Sequence, residues 1–191
     1  MAVSSTMLPL GTPIPEFELI DVTTGRPFSL ADFADARALL VMFICAHCPY
    51  VVHVQPELAR LARDYSNRGV GILAITSNDV AQYPQDAPEP TAAMAHAASF
   101  TFPIVYDETQ EVAKAFTAAC TPDFFLFDAE RKLAYRGQLD SSRPGKGEPD
   151  GHDLRAALNA VLNGAPVDPD QRPSIGCNIK WKVGHEPDYY G

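Results

Sequence analysis

The sequence lacks a long apolar segment and any cluster of basic residues. In its 191 residues no stretch approaches the about 18 consecutive apolar residues that a transmembrane helix needs, so no such helix is predicted. The 15 Lys and Arg residues are scattered, and the net charge is −9. This charge argues against nucleic acids and anionic membrane surfaces as partners.

The first ten residues also lack the features of a secretory leader. They contain no Lys or Arg and no long apolar run. We therefore expect no signal peptide and a cytoplasmic location.

Cysteine is scarce as well. The four cysteines are too few for a disulfide scaffold in a chain of this size, and in a reducing compartment such a set is typical of catalytic or metal-binding sites. Length and an apolar content of 46% fit one domain over residues 1–191. We expect its core at about residues 12–164 and a surface tail at 165–191.

The most informative motif is Cys45-Ala46-His47-Cys48-Pro49, directly behind the apolar run 38–44. A run without alternation predicts a strand buried on both faces, and Pro49 suits the first turn of a helix. Two sulfurs at a helix N-terminus lie near unpaired N–H groups and the positive end of the helix dipole, which favour a thiolate. The motif therefore predicts a dithiol redox site.

Three residues of this motif have different predicted roles. Cys45, at the turn, is expected to be the exposed nucleophile, and Cys48, one turn into the helix, the resolving thiol. A protonated His47 would stabilise the Cys45 thiolate and make the disulfide a better oxidant. The alternatives are an exposed histidine without a role, and half of a structural zinc site that would need two more ligands.

Hydrophobic periodicity predicts a mixed central sheet flanked by helices on both faces, an α/β architecture. The run 70–76 reads as a second buried strand after the helix, which makes a βαβ unit with the cysteines at its first junction. Two further strands have hairpin spacing, and a last helix ends at Gly164. The predicted elements are strands at 17–22, 38–44, 70–76, 102–107, 124–128 and 133–137, and helices from 49, 91, 111 and 154.

This order, with Cys45-x-x-Cys48 at a strand-to-helix turn and Thr121-Pro122 before a later strand, resembles the thioredoxin superfamily. Further motifs resemble its peroxiredoxin-like, AhpC/TSA or redoxin-type members: 107–110, 120–125, 135–137 and 176–181. The resemblance implies a thioredoxin-like fold with an N-terminal extension and an irregular C-terminal tail. It also implies that Pro122 is a cis proline beside the dithiol that shapes the substrate groove, with an ordinary trans proline as the alternative.

Four positions limit or extend the chemistry that the resemblance implies. Peroxiredoxins carry a hydroxyl residue and a proline before the attacking cysteine, but here Met42 and Ala38 stand at those positions, which disfavours efficient peroxidase activity. Cys120 precedes the Thr121-Pro122 turn and is either a third redox thiol or a small buried apolar residue. Cys177 in the tail is either a resolving thiol or a structural cysteine.

The sequence thus predicts a thiol–disulfide oxidoreductase with an antioxidant role and no cofactor or bound metal. Its expected partners are protein or small-molecule disulfides and a thiol- or NADPH-linked electron donor. Three alternatives stay open: a thiol-dependent hydroperoxide reductase, a copper- or zinc-binding metallochaperone of the same fold, and a redox-inert interaction module.

Overall fold

A seven-stranded mixed sheet forms the centre of the computed structural model, which describes residues 2–190. The strands are β1 (Ala2–Ser4), β2 (Glu18–Asp21), β3 (Pro27–Ser29), β4 (Ala38–Phe43), β5 (Val70–Thr76), β6 (Ile104–Tyr106), β7 (Cys120–Thr121), β8 (Asp123–Phe127), β9 (Leu133–Gly137) and β10 (Ile175–Asn178). The helices are α1 (Pro49–Tyr65), α2 (Pro88–Ala97), α3 (Glu111–Ala115) and α4 (His152–Leu162). Short 3-10 turns lie at Leu30–Phe33 and Pro84–Asp86.

The sheet order β3-β2-β6-β5-β4-β8-β9 confirms the predicted mixed α/β, thioredoxin-like architecture. Strand β4 pairs in parallel with β5, and β5 with β6, whereas β8 and β9 form the antiparallel hairpin predicted from their spacing. Because β4 lies at the centre, the carboxyl end that leads into Cys45 is held between β5 and β8.

Strand β4 is buried on both faces, as its unbroken apolar run predicts. Leu40 and Met42 point into the core that α1, α2 and α4 cover. Leu39, Val41 and Phe43 point into the second core, on the side of α3. The strand that carries the dithiol is therefore fixed from both sides. None of the helices in residues 2–190 is long and apolar enough to cross a membrane.

The C-terminal tail is more ordered than the expected surface tail at 165–191. Its strand β10 pairs antiparallel with β1 on one side and with β7 on the other, which makes a second, three-stranded sheet. Ile179 and Trp181 are buried in the core on the α3 side. Few apolar side chains of the tail are buried, so its apolar residues show no regular spacing. A strand in the tail is therefore not predicted from the sequence.

Candidate active site

The two cysteines of the motif lie where β4 passes into α1. Cys45 follows two residues after the end of β4, and Cys48 is the N-cap residue of α1, directly before Pro49. Both are free thiols. The expectation that Cys45 is exposed is wrong, since Cys45 is 1% and Cys48 0% exposed. Thr121 contacts both sulfurs and strand β10 packs against α1, and together they cover this end of the helix.

Thr121 contacts both sulfurs through different atoms. Its hydroxyl Oγ1 lies 3.3 Å from Cys45 Sγ, and Cys48 Sγ donates to its carbonyl oxygen at 3.1 Å. The peptide bond between Thr121 and Pro122 is cis, as the resemblance implied. The turn before β8 therefore presents a hydroxyl, which can donate, to one thiol and a carbonyl, which can only accept, to the other.

The two sulfurs interact, so that a proton on one of them favours a thiolate on the other. When Cys45 keeps this proton, its hydrogen bond lowers the pKa of Cys48 to about 4, and the same bond together with burial raises the pKa of Cys45. The Thr121 carbonyl oxygen opposes this arrangement, because it repels a thiolate at Cys48 and fits a thiol. The Thr121 hydroxyl lowers the pKa of Cys45. In the opposite arrangement Cys48 holds the proton and Cys45 carries the charge.

A buried carboxylate organises the loop between the cysteines. Asp86 is fully buried, and its Oδ1 accepts hydrogen bonds from the backbone N–H of Ala46 at 2.9 Å and of His47 at 3.1 Å. Its Oδ2 lies 2.5 Å from His47 Nδ1 and accepts from Asn78 Nδ2 at 2.8 Å. The carboxylate repels a second negative charge, so it raises the pKa of Cys45.

His47 is the part of this network that reaches solvent. Its side chain is 27% exposed, and the ring stacks on Tyr83 with a centroid distance of 5.7 Å. When protonated, His47 forms an ion pair with Asp86 and compensates the negative charge beside Cys45. The predicted assistance to the Cys45 thiolate therefore runs through Asp86 in this structure.

The other two cysteines differ in their burial and in what their sulfurs face. Cys120 is buried, and its sulfur faces the carbonyl oxygens of Pro122 at 3.5 Å and of Ser174 at 4.0 Å. Burial raises its pKa well above the ordinary value. Cys177 is half-buried, packs against the core that contains Cys45 and Cys48, and affects the pKa of Cys48. Cys177 thus lies beside the motif, whereas the Cys120 sulfur faces backbone carbonyl oxygens.

Asp86 is the site residue that sequence reasoning missed. It lies at the end of the 3-10 turn Pro84–Asp86, in a proline-rich polar segment that predicts only a loop. Asp79 and Glu89 lie close by in sequence, and no spacing marks one of these acids as the partner of His47. The prolines that flank Asp86 are the one available signal, because they indicate a rigid turn.

One cluster of possible metal ligands occurs within residues 2–190. One ligand atom each from Cys45, His47 and Asp86 lies within 4.8 Å of the other two. A closed structural zinc site needs four ligands, and Cys48 is not part of the cluster. The hydrogen bond of His47 Nδ1 to Asp86 also occupies one ring nitrogen. This donor set fits a structural metal poorly.

Two crystal structures are similar to nearly the whole chain. An uncharacterized conserved protein from Geobacillus kaustophilus is 55% identical with a TM-score of 0.92, and the match covers 95% of this chain and 97% of that one. A hypothetical protein from Sinorhizobium meliloti 1021 is 49% identical with a TM-score of 0.93, covering 95% and 99%. Neither description names an activity.

A more distant neighbour supports the fold alone. A thiol:disulfide interchange protein of the thioredoxin family from Chlorobium tepidum is 19% identical with a TM-score of 0.63, over 82% of this chain and 99% of that one. A search of functionally curated proteins found no match. The sequence model of the Redoxin family matches residues 9–158, most of the chain. The chain belongs to the Redoxin family.

Proposed function

We propose that this protein is a thiol–disulfide oxidoreductase in which Cys45 is the nucleophile and Cys48 the resolving thiol. The contact of Thr121 with both sulfurs carries this proposal. Its hydroxyl can donate to a thiolate at Cys45, and its carbonyl accepts the proton that Cys48 keeps. The two thiols thus have unequal surroundings, as an attacking and a resolving thiol need.

The reaction proceeds in two exchanges. The Cys45 thiolate attacks one sulfur of a substrate disulfide, forms a mixed disulfide and releases the first substrate thiolate. Cys48 then loses its proton and attacks Cys45 Sγ, which closes the Cys45–Cys48 disulfide and releases the second substrate thiolate. The substrate gains two electrons and the dithiol loses two. A thiol- or NADPH-linked donor returns the protein to the dithiol.

His47 adjusts the direction of this chemistry. Its cation offsets the Asp86 charge and so favours the Cys45 thiolate. A more stable thiolate stabilises the reduced form, which makes the disulfide a stronger oxidant. We therefore expect a more oxidising couple than the same site without the histidine would have.

Peroxide reduction is the weaker function for this site. The positions at which peroxiredoxins carry their hydroxyl residue and proline hold Met42 and Ala38, both buried in the core. Neither side chain can donate a hydrogen bond to a peroxide oxygen. A role as a metallochaperone would use Cys45 and His47, and stoichiometric metal uptake would favour it.

Insulin-disulfide reduction and peroxide consumption separate these functions. We expect the wild-type protein to reduce insulin with dithiothreitol as donor, and Cys45→Ser to lose this activity by a factor on the order of 100 or more. Cys48→Ser should accumulate the mixed disulfide with substrate, visible by mass spectrometry. The matched control is Cys120→Ser, which removes another buried thiol and should reduce insulin normally.

The proposal fails if Cys45→Ser reduces insulin as well as the wild type does. It also fails if the wild-type protein is inactive with insulin but consumes peroxide, or binds one equivalent of Cu(I) or Zn²⁺ tightly.

A further inference from the structure

The strand β10 holds Cys177 against the dithiol from the tail. Cys177 lies opposite Thr121 in the pairing with β7 and opposite Ala2 in the pairing with β1, so its backbone is fixed on both sides. Its side chain packs against the core that contains Cys45 and Cys48, and its thiol affects the pKa of Cys48. Cys177 is therefore paired in register with Thr121, the residue that contacts both sulfurs of the motif.

The close approach of β10 depends on Gly176. A Cβ atom at this position would lie 2.0 Å from the carbonyl oxygen of Thr121, a distance at which backbone must shift. Ser174 Oγ also donates to the Pro122 carbonyl oxygen at 2.6 Å. A glycine next to Cys177 is thus what allows the tail to lie directly on the Thr121–Pro122 turn.

The residues after Cys177 anchor the strand to the same network that holds the dithiol loop. The backbone N–H of Lys180 donates to Asn78 Oδ1 at 2.8 Å, and Asn78 donates in turn to Asp86. Gln110 Nε2 donates to the carbonyl oxygen of Lys180 at 2.9 Å. Cys177 is therefore held in place from both directions along the chain.

The exposure of the three sulfurs suggests what the third one does. Cys45 and Cys48 are almost completely buried, whereas Cys177 is half-buried. A reductant in solution must approach a sulfur within bonding distance, so a buried disulfide is reduced slowly unless the oxidation passes to a more accessible sulfur.

We propose that Cys177 is a third redox thiol that accepts the disulfide from the buried pair and presents it to the external reductant. This inference rests on the proposed function, because it starts from the oxidised pair. The Cys177 thiolate attacks Cys48 Sγ, the Cys45–Cys48 bond breaks, and a Cys48–Cys177 disulfide forms. Cys45 leaves as a thiolate, and the proton that Cys177 loses balances the one that Cys45 can take up. One disulfide is exchanged for another, so no further oxidant is needed.

The reduced protein keeps Cys177 protonated. Burial and the Cys48 thiol raise the pKa of Cys177 to about 11, against the opposing charge of Lys180. In the Cys45–Cys48 disulfide, Cys48 no longer has a thiol group that raises the pKa of Cys177. The Cys177 thiolate is thereby favoured in the state in which it has a disulfide to attack.

Trapping the second disulfide tests this proposal. Cys45→Ser leaves Cys48 and Cys177 free to pair, and one equivalent of diamide supplies the two-electron oxidant. We expect peptide mapping under non-reducing conditions to find a Cys48–Cys177 disulfide in this variant. We expect much less of it in Cys45→Ser combined with Gly176→Ala, which keeps both thiols but displaces the strand.

The kinetic consequence is tested with all other cysteines in place. Oxidised Cys177→Ser should be reduced by glutathione more slowly than the wild type, by a factor on the order of ten. Cys120→Ser, a matched loss of a buried thiol that the proposed relay does not use, should be reduced at the wild-type rate. Circular dichroism spectra establish that each variant is folded.

The outcomes separate the relay from the function on which it rests. Absence of the Cys48–Cys177 disulfide, or equal reduction rates of wild type and Cys177→Ser, overturns the relay. Insulin reduction by the wild type is measured alongside. If that activity is present while the trapped disulfide is absent, the relay alone is wrong. If the disulfide forms but the wild type cannot reduce insulin, the proposed function is wrong and the exchange between the sulfurs stands.

Discussion

Two buried carboxylates flank the dithiol, and they have opposite kinds of partner. Asp86 holds the loop between the cysteines and pairs with His47, an imidazole that reaches solvent. Asp123 follows Pro122 on the other side and pairs with Arg136, and both of these side chains are fully buried. Both carboxylates position the site, but only Asp86 has a partner that reaches solvent.

The Asp123 network is closed to solvent and satisfied throughout. Asp123 accepts from Ser5 Oγ at 2.8 Å and from the backbone N–H of Ala119 at 3.2 Å. The Arg136 guanidinium donates to Ser5 and to both the hydroxyl and the carbonyl oxygen of Thr117, and it lies 4.4 Å from the centroid of the Phe125 ring. A buried pair with this many partners supports the structure below the cis proline.

The comparison teaches that burial of a carboxylate does not by itself mark a functional group. The residue that pairs with the carboxylate determines its role. Arg136 is buried together with its carboxylate, whereas the partly exposed His47 connects the Asp86 charge, and with it the reactivity of Cys45, to the solvent. Substitutions of the two partners should therefore separate stability from reactivity.

The largest effect is expected on stability, from Arg136→Met. This change leaves the Asp123 carboxylate buried without its cation, which should lower the free energy of unfolding by about 3–5 kcal/mol. Urea denaturation followed by circular dichroism measures it. Arg136→Met combined with Asp123→Asn removes the orphaned charge and should recover part of the loss. A decrease of less than about 1 kcal/mol in the single variant would show that the pair is not the support described above.

The Asp86 network should show the opposite behaviour, a small change in stability and a clear change in reactivity. Asp86 raises the pKa of Cys45, so Asp86→Asn should lower that pKa and move the alkylation of Cys45 by iodoacetamide to lower pH. His47→Ala leaves the carboxylate uncompensated and should move the same profile to higher pH. Shifts of about one pH unit are expected, equivalent to about 1.4 kcal/mol.

Mass spectrometry of the alkylated peptides assigns the reactivity to Cys45 in this experiment. His47→Ala should lower the free energy of unfolding by less than Arg136→Met does, because the His47 side chain is partly exposed and Asp86 keeps three N–H donors. Shifts of the same sign in both variants would mean that the charge of Asp86 does not act on Cys45.

The sequence predicted the parts of the site that are local in the chain. The apolar run before Cys45, the cysteine spacing and Pro49 all act within a few residues, and each has one physical interpretation. Hydrophobic periodicity predicted the main strands along the chain, and the resemblance predicted the cis proline at Pro122. These predictions agree with the structure.

The parts that sequence missed join distant segments. Asp86 reaches His47 across 39 residues through a proline-rich loop, and β10 reaches β7 through a four-residue strand without alternation. The burial of Cys45 has the same origin, because the segments that cover it come from elsewhere in the chain. None of these contacts between distant segments produces a hydrophobic period or a residue spacing that can be recognised in the sequence.

The central claim is that Cys45 and Cys48 form a reversible redox couple, and a glutathione titration tests it most directly. The protein is equilibrated in buffers of graded glutathione redox potential, quenched with acid and mapped by mass spectrometry. We predict one two-electron transition in which Cys48 passes from a thiol to an intrachain disulfide. Cys45 is the first partner of Cys48 in that disulfide. The Cys48→Ser variant should lose this transition. Free thiols at Cys45 and Cys48 in every buffer would contradict the account.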